Sequence, residues 1–259
     1  MRKINTSTHL FLGKGVVYCA SRVKFPTIVM FSRQQQSTKE ERMQYIVRKT
    51  TKVPLFRESD FAAADVAELT FVAPKSSEHH PKITLRLLHD DRNIYGLYSV
   101  EDRYVRAVAT RYQDSVCQDS CVEFFFKPNV GPGYFNLEMS AGGTYLLYYV
   151  ADCTRTEHGF KEYYKVSPEY GNLITVKTTL PHVIDPEITE PVNWQVMFTI
   201  PMEAIEPYCG KIDTLNGQEW TANFYKCADK TSHPHWITWA PLTILNYHQP
   251  DRFQPMILE

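Results

Sequence analysis

From Met43 onward, apolar residues recur at every second position, in short runs broken by Gly, Pro, Asp and Asn. A period of two matches the alternating faces of a β-strand and does not suit a helix, so this pattern restricts the chain to sheets packed on sheets. Ile83-Thr84-Leu85-Arg86-Leu87 alternates, Asp90-Asp91-Arg92-Asn93 turns, and Ile94 to Val100 returns as the second strand of a hairpin. Cys121 to Lys127 reads as a strand stopped by Pro128-Asn129-Val130-Gly131-Pro132-Gly133. Tyr134 to Met139 and Thr144 to Val150 flank Ala141-Gly142-Gly143 as another hairpin, and residues 173–180, 193–200 and 219–226 supply further strands. Helical signal is confined to Ser59–Leu69, an Ala-rich stretch after a possible Ser cap, and to one turn at Pro201–Ile205. Strands at short spacing with Gly/Pro turns predict an all-β sandwich of the jelly-roll kind with one or two short helices. Residues 43–259 show no internal linker and read as one domain.

Residues 1–42 differ in kind. They hold eight Lys or Arg against Glu40 and Glu41, a formal charge of +6, which leaves −7 on the rest of a chain whose net charge is −1. Three readings fit this N-terminal extension: an added stretch upstream of a true start at Met43, a basic targeting segment, or an ordered extension. Its apolar runs are too short for a membrane helix. The near-neutral overall charge gives no pull toward nucleic acid or an anionic membrane.

The chemistry-bearing residues leave several uses open. Glu123 lies between Val122 and Phe124 and points to the face opposite theirs. There its carboxylate can accept hydrogen bonds from a polar ligand or pair with a basic side chain. Glu123 and Glu138 fall on neighbouring strands and could form an acid/base pair for glycoside hydrolysis if about 5–10 Å apart. None of the six cysteines forms a CxxC pair, and Cys117 with Cys121 matches no known ligand spacing, so buried free thiols are expected. His233-Pro234-His235 lacks a third metal ligand at useful spacing. Asp90, Asp91 and Asp102 could hold a structural Ca²⁺, although no dense loop of oxygen donors accompanies them. Trp194, Trp220 and Trp239 read as strand residues packed in the core or sheet, whereas Trp236 and Tyr247 read as loop residues and suit a stacking platform.

Taken in order, Asp119-Ser120-Cys121-Val122-Glu123, Trp194 to Ile205, Asn223-Phe224-Tyr225-Lys226, Trp239-Ala240-Pro241 and His248-Gln249-Pro250-Asp251-Arg252-Phe253 resemble the family 9 carbohydrate-binding modules over roughly residues 55–258. The resemblance implies a non-catalytic β-sandwich that binds a glycan during polysaccharide use, by itself or beside a separate glycoside hydrolase. It also implies a ring clamped between two aromatic planes. Tyr247 stands at one plane, while Val116 and Cys117 stand at the other, with Tyr112 the nearest aromatic upstream. Glu123 is retained, and Asn136 stands where the family has Arg. The expected ligand residues are therefore Glu123, Tyr247, Tyr112, Asn136 and Trp236. Two rival functions remain: a glycoside hydrolase on the same sandwich, and an interaction domain that has lost its sugar site. Limited proteolysis is expected to trim the chain to near Arg42 and leave a resistant core; a resistant fragment retaining residues 1–42 would contradict the boundary.

Overall fold

The structure, a computed structural model, describes residues 43–259, and the expectations for residues 1–42 lie outside them. Sixteen strands are present among the described residues. The first six are β1 (Tyr45–Lys49), β2 (Val66–Leu69), β3 (Phe71–Val72), β4 (Lys82–His89), β5 (Asn93–Asp102) and β6 (Val105–Ala107). Next come β7 (Cys121–Lys127), β8 (Tyr134–Ser140), β9 (Tyr145–Thr156), β10 (Gly159–Lys165), β11 (Thr175–Thr178) and β12 (Ile184–Ile188). The last four are β13 (Val192–Pro201), β14 (Glu219–Cys227), β15 (Trp236–Thr238) and β16 (Gln254–Leu258). Two short helices, α1 (Pro168–Gly171) and α2 (Met202–Cys209), complete the list, and none is long and apolar enough to cross a membrane.

One sheet runs β10-β9-β8-β7-β14-β16 and the other β4-β5-β13-β11. β1 belongs to both: Tyr45–Val47 pair with β16, and Arg48–Lys49 pair with β4. The chain crosses between the sheets again at Thr70, since β2 pairs with β4 while β3 pairs with β15. The all-β sandwich is as the periodicity requires, and the hairpins at 83–100 and 134–150 form.

The expected helix over 59–69 does not form. A 3-10 turn occupies Glu58–Phe61, and Val66–Leu69 is strand β2. Ala67 and Leu69 are buried while Val66 and Glu68 are exposed, so burial follows period two. Pairing with β4 and core packing override the helix preference of the alanines.

The core between the sheets takes alternate residues from each strand: Val122, Phe124 and Phe126 from β7, Phe135, Leu137 and Met139 from β8, and Trp194, Val196 and Phe198 from β13. Trp194, Trp220 and Trp239 all lie in it, the first two from strands β13 and β14, whereas Trp239, expected in a strand, follows the end of β15. One charge sits inside as well. Lys226 of β14 is fully buried, donates to His235 Nε2 at 2.8 Å and to the Cys227 carbonyl at 3.1 Å, and lies 3.6 Å from Asp102. Asp102 also accepts from the Trp194 indole at 3.1 Å and contacts His79 Nε2 at 2.8 Å. This network ties β14 of one sheet to β5 and β13 of the other. Burial and the Lys226 ammonium push the His235 imidazole down to about 3, so it stays neutral and accepts the ammonium proton. Asp102 stays ionised because Lys226 and its hydrogen bonds outweigh its desolvation.

Lys226→Met leaves Asp102 buried without its cation and is expected to cost about 3–5 kcal/mol in denaturant unfolding. The His235 ring binds a proton near 6.5 when unfolded and only near 3 when folded. Stability from this group is therefore full above about pH 6.5 and falls as pH drops toward 3. His235→Gln is expected to flatten that acid slope; an unchanged slope would assign it to other groups.

Candidate functional site

The alternation that fills the core also sets the opposite face of the same sheet. On β7 the outward residues are Cys121, Glu123 and Phe125; on β8 they are Tyr134, Asn136 and Glu138; on β14 they are Asn223, Tyr225 and Cys227. Register aligns them in rows: Tyr225, Glu123, Glu138 and Leu146 form one, and Asn223, Phe125, Asn136 and Tyr148 the next. Glu123 and Glu138 are thus direct cross-strand partners, with Cβ atoms about 5 Å apart.

This outer face is not open to water, because Trp236, expected in a loop but the first residue of β15, and Tyr247 from the loop after β15 cover it. Tyr247 lies nearly parallel on Tyr225, ring centroids 4.1 Å apart at 14°. Its hydroxyl donates to the Lys226 carbonyl at 2.8 Å, and the Tyr225 hydroxyl donates back to the Tyr247 carbonyl at 3.1 Å. Trp236 packs on Cys121, Leu146 and Cys227, and its indole donates to Asp229 at 2.8 Å. Half-buried Cys117 and Tyr148 pack against the same cluster. Tyr148 stands on β9 and Tyr247 over β14, about three strand spacings of ~4.8 Å apart, with Glu138, Asn136 and Glu123 between them.

The polar groups here are only partly satisfied. Glu123 accepts from the Cys227 thiol at 2.9 Å, and Glu138 Oε1 accepts from Asn136 Nδ2 at 3.0 Å. Asn136 Oδ1 and Glu138 Oε2 are buried and have no hydrogen-bond partner. Each such orphan costs about 1–3 kcal/mol of desolvation unless something supplies a donor. Burial raises both carboxyls: Glu138 to about 7, and Glu123 well above its ordinary value, where the neighbouring Glu138 adds repulsion. The pair therefore carries proton at neutral pH.

Four of the five residues expected at the site share this face: Glu123, Asn136, Tyr247 and Trp236. Tyr112 is placed elsewhere. Its ring packs on Tyr145 at 5.1 Å and its hydroxyl donates to the Val166 carbonyl at 2.9 Å, both on the core side of the sheet. Val116 and Cys117 form a single 3-10 turn over the cluster, so Cys117 occupies ground beside Trp236. Tyr148, Glu138 as an unpaired acceptor, and Asp229 complete the face. The outward position of Tyr148 on β9 follows from alternation, but its row beside Asn136 depends on register. The three aspartates considered for Ca²⁺ do not converge. Asp90 accepts from Asn93 and from the Arg92 and Asn93 amides, Asp91 pairs with Lys49 at 2.7 Å, and Asp102 belongs to the core network. His233 stacks on Tyr104 at 3.6 Å and does not share a site with His235. A concavity of about 870 Å³ lies on the outer face of the opposite sheet, over Thr84, Arg86, Ser99 and Gln195. Arg86 there pairs with Glu58 and Gln195 with Ser99, and no exposed aromatic plane lines it, so the chemistry points to the Glu123 face.

A carboxyl raised from 4.5 to about 7 stabilises the fold below about pH 4.5 and loses that contribution as pH rises through 7. Thermal melts are expected to show stability falling between about pH 4.5 and about pH 7 by up to about 3 kcal/mol. Glu138→Gln should shrink that fall, leaving the part due to Glu123; if it persists unchanged, Glu138 is not a source.

The model of carbohydrate-binding family 9 matches residues 56–258. A candidate carbohydrate-binding protein from Bacteroides uniformis ATCC 8492 is similar at 26% identity and TM-score 0.73, over 84% of this chain and 100% of that one. A family 9 carbohydrate-binding module from Caldicellulosiruptor kristjanssonii, solved with cellotriose, shares the fold at 16% identity and TM-score 0.52, over 84% of this chain and 94% of that one. The same description with glucose gives 15% identity and TM-score 0.50, over 84% and 96%. Among curated protein sequences none matches. The match over most of its length, together with the sandwich itself, places this chain in carbohydrate-binding family 9.

Proposed function

We propose that this chain binds carbohydrate without catalysis, on the outer face of the β8-β7-β14 sheet. The observation that carries this reading is the pair of buried, unpartnered acceptors, Asn136 Oδ1 and Glu138 Oε2, between two half-buried aromatic rings. A pyranose offers what is missing there: vicinal hydroxyls to donate to two acceptors, and an apolar C–H face for Tyr247 or Tyr148. The family and the neighbours solved with cellotriose and glucose support a neutral β-linked glucan or its end as the class. A role in polysaccharide use beside a separate glycoside hydrolase belongs to the same proposal.

A hydrolase reading has one observation in its favour, the direct pairing of Glu123 with Glu138. Acid/base catalysis needs two carboxyls driven apart in pKa, one proton-bearing and one ionised. Here burial raises both. Hydrogen bonds from sugar hydroxyls lower the Glu138 pKa in the complex, so affinity should rise as pH rises toward about 7.

Calorimetric titration with glucose and cello-oligosaccharides, paired with a turnover assay on the same ligands, tests the proposal. Saturable binding without product is expected. Tyr247→Ala should weaken it by on the order of 1 kcal/mol, about fivefold, and Glu138→Ala by more. Turnover abolished by Glu123→Gln would favour the hydrolase, and blank results in both assays across a glycan array would leave an interaction domain.

A further inference from the structure

Cys121 and Cys227 face each other directly across β7 and β14, and Glu123 is two residues along β7 on the same face. Their two Sγ atoms and a Glu123 carboxylate oxygen all lie within 4.8 Å of one another. The three side chains are buried to 2% exposure or less. Tetrahedral Zn²⁺ holds thiolate sulfur at about 2.3 Å and carboxylate oxygen at about 2.0 Å, which separates donor atoms by roughly 3.3–3.8 Å. The donors therefore lie within about 1 Å of that spacing, the Cys227 Sγ and Glu123 Oε1 pair being 2.9 Å apart.

We propose that Cys121, Cys227 and Glu123 form a binding site for a thiophilic divalent cation, Zn²⁺ or a metal of similar softness, with a fourth position facing the sugar-binding face. Two thiolates and one carboxylate are a borderline-soft donor set that suits Zn²⁺ and disfavours Ca²⁺ or Mg²⁺. A second observation is independent of the ligand set: Glu138 Oε2, on the residue paired with Glu123, is buried without a partner. It is a free acceptor on the cross-strand neighbour of Glu123, and carboxylates beside zinc sites accept from metal-bound water or hydroxyl.

The other buried cluster of donors, His79, Asp102 and His235, is not a comparable site. The Lys226 ammonium already lies 2.8 Å from His235 Nε2 and would repel a cation. Binding at the cysteine site displaces two thiol protons and, from a protonated Glu123, a third. The protons pass to solvent, no redox change occurs, and affinity falls as pH falls. The inference does not rest on sugar binding, because metal uptake is read without any glycan.

The test uses the full chain, reduced with a phosphine, stripped of metal, and titrated separately with Zn²⁺ and Cd²⁺. Elemental analysis is expected to find one Zn²⁺ per chain. Cd²⁺ should give a thiolate-to-metal charge-transfer band with the intensity of two thiolates. Cys121→Ser and Cys227→Ser should each halve that band and weaken Zn²⁺ binding by more than about tenfold. Glu123→Gln should keep the band but weaken binding, and Cys153→Ser should change nothing. Should the cysteine variants fail to fold, X-ray absorption at the zinc edge of the native chain, expected to show two sulfur neighbours at about 2.3 Å, gives the same answer. No band at one equivalent of Cd²⁺, or a band that survives both serine variants, would overturn the site. So would an intact mass two hydrogens short after reduction, which would show Cys121 and Cys227 joined as a disulfide.

Discussion

Burial of β7 and β8 on both faces is the constraint from which the remaining features follow. Apart from the half-buried Lys127, every residue of these strands is buried, although only one face meets the core between the sheets. The other face is covered by the chain around β15 and by residues 242–253, through Trp236, Tyr247, Leu242 and Phe253. Polar side chains on a sheet face normally meet water. Here Glu123, Asn136 and Glu138 meet aromatic rings and thiols instead, and the low dielectric makes each unpaired acceptor costly. A hydroxyl-rich ligand on this face, as proposed above, would remove that cost.

Strand β14 carries opposite electrostatics on its two faces. Inward, Lys226 is an ammonium held by Asp102 and His235 between the sheets. Outward, Tyr225 and Cys227 border the two carboxyls. The inner network is fully paired and orients β14 against β5 and β13. The outer group is left short of donors. A buried charge with its partners stabilises geometry, whereas buried acceptors without partners predispose a surface to bind. The contrast separates the two clusters that their residue types alone would not distinguish.

Much of this was readable before folding. Alternation assigned Glu123 to the face opposite Phe124, and the loop position of Tyr247 marked it for stacking, whereas Trp236, expected in a loop, opens strand β15 and packs on the same cluster. The order of motifs pointed to the family. Tyr112 was misleading because proximity in sequence to Asp119 does not carry it across the sheet: its hydroxyl finds the Val166 carbonyl on the core side. The 59–69 stretch failed for a related reason, since its alanines favour a helix locally while Ala67 and Leu69 are needed in the core by β4. Cys121 and Cys227 are 106 residues apart in number, and no spacing rule connects them.

What the sequence determined by itself is periodic and local: an all-β sandwich, the strands with their inward and outward residues, and the aromatic and carboxyl residues available for recognition. Those follow because side-chain direction along a strand alternates regardless of context. What only the tertiary structure decided is pairing and cover. Register placed Glu123 opposite Glu138 and Cys121 opposite Cys227, and the return of residues 228–253 over the outer face turned a polar surface into a buried, partly unsatisfied site. Register is a property of two strands at once and burial a property of the whole packed chain, so neither can be read from one segment.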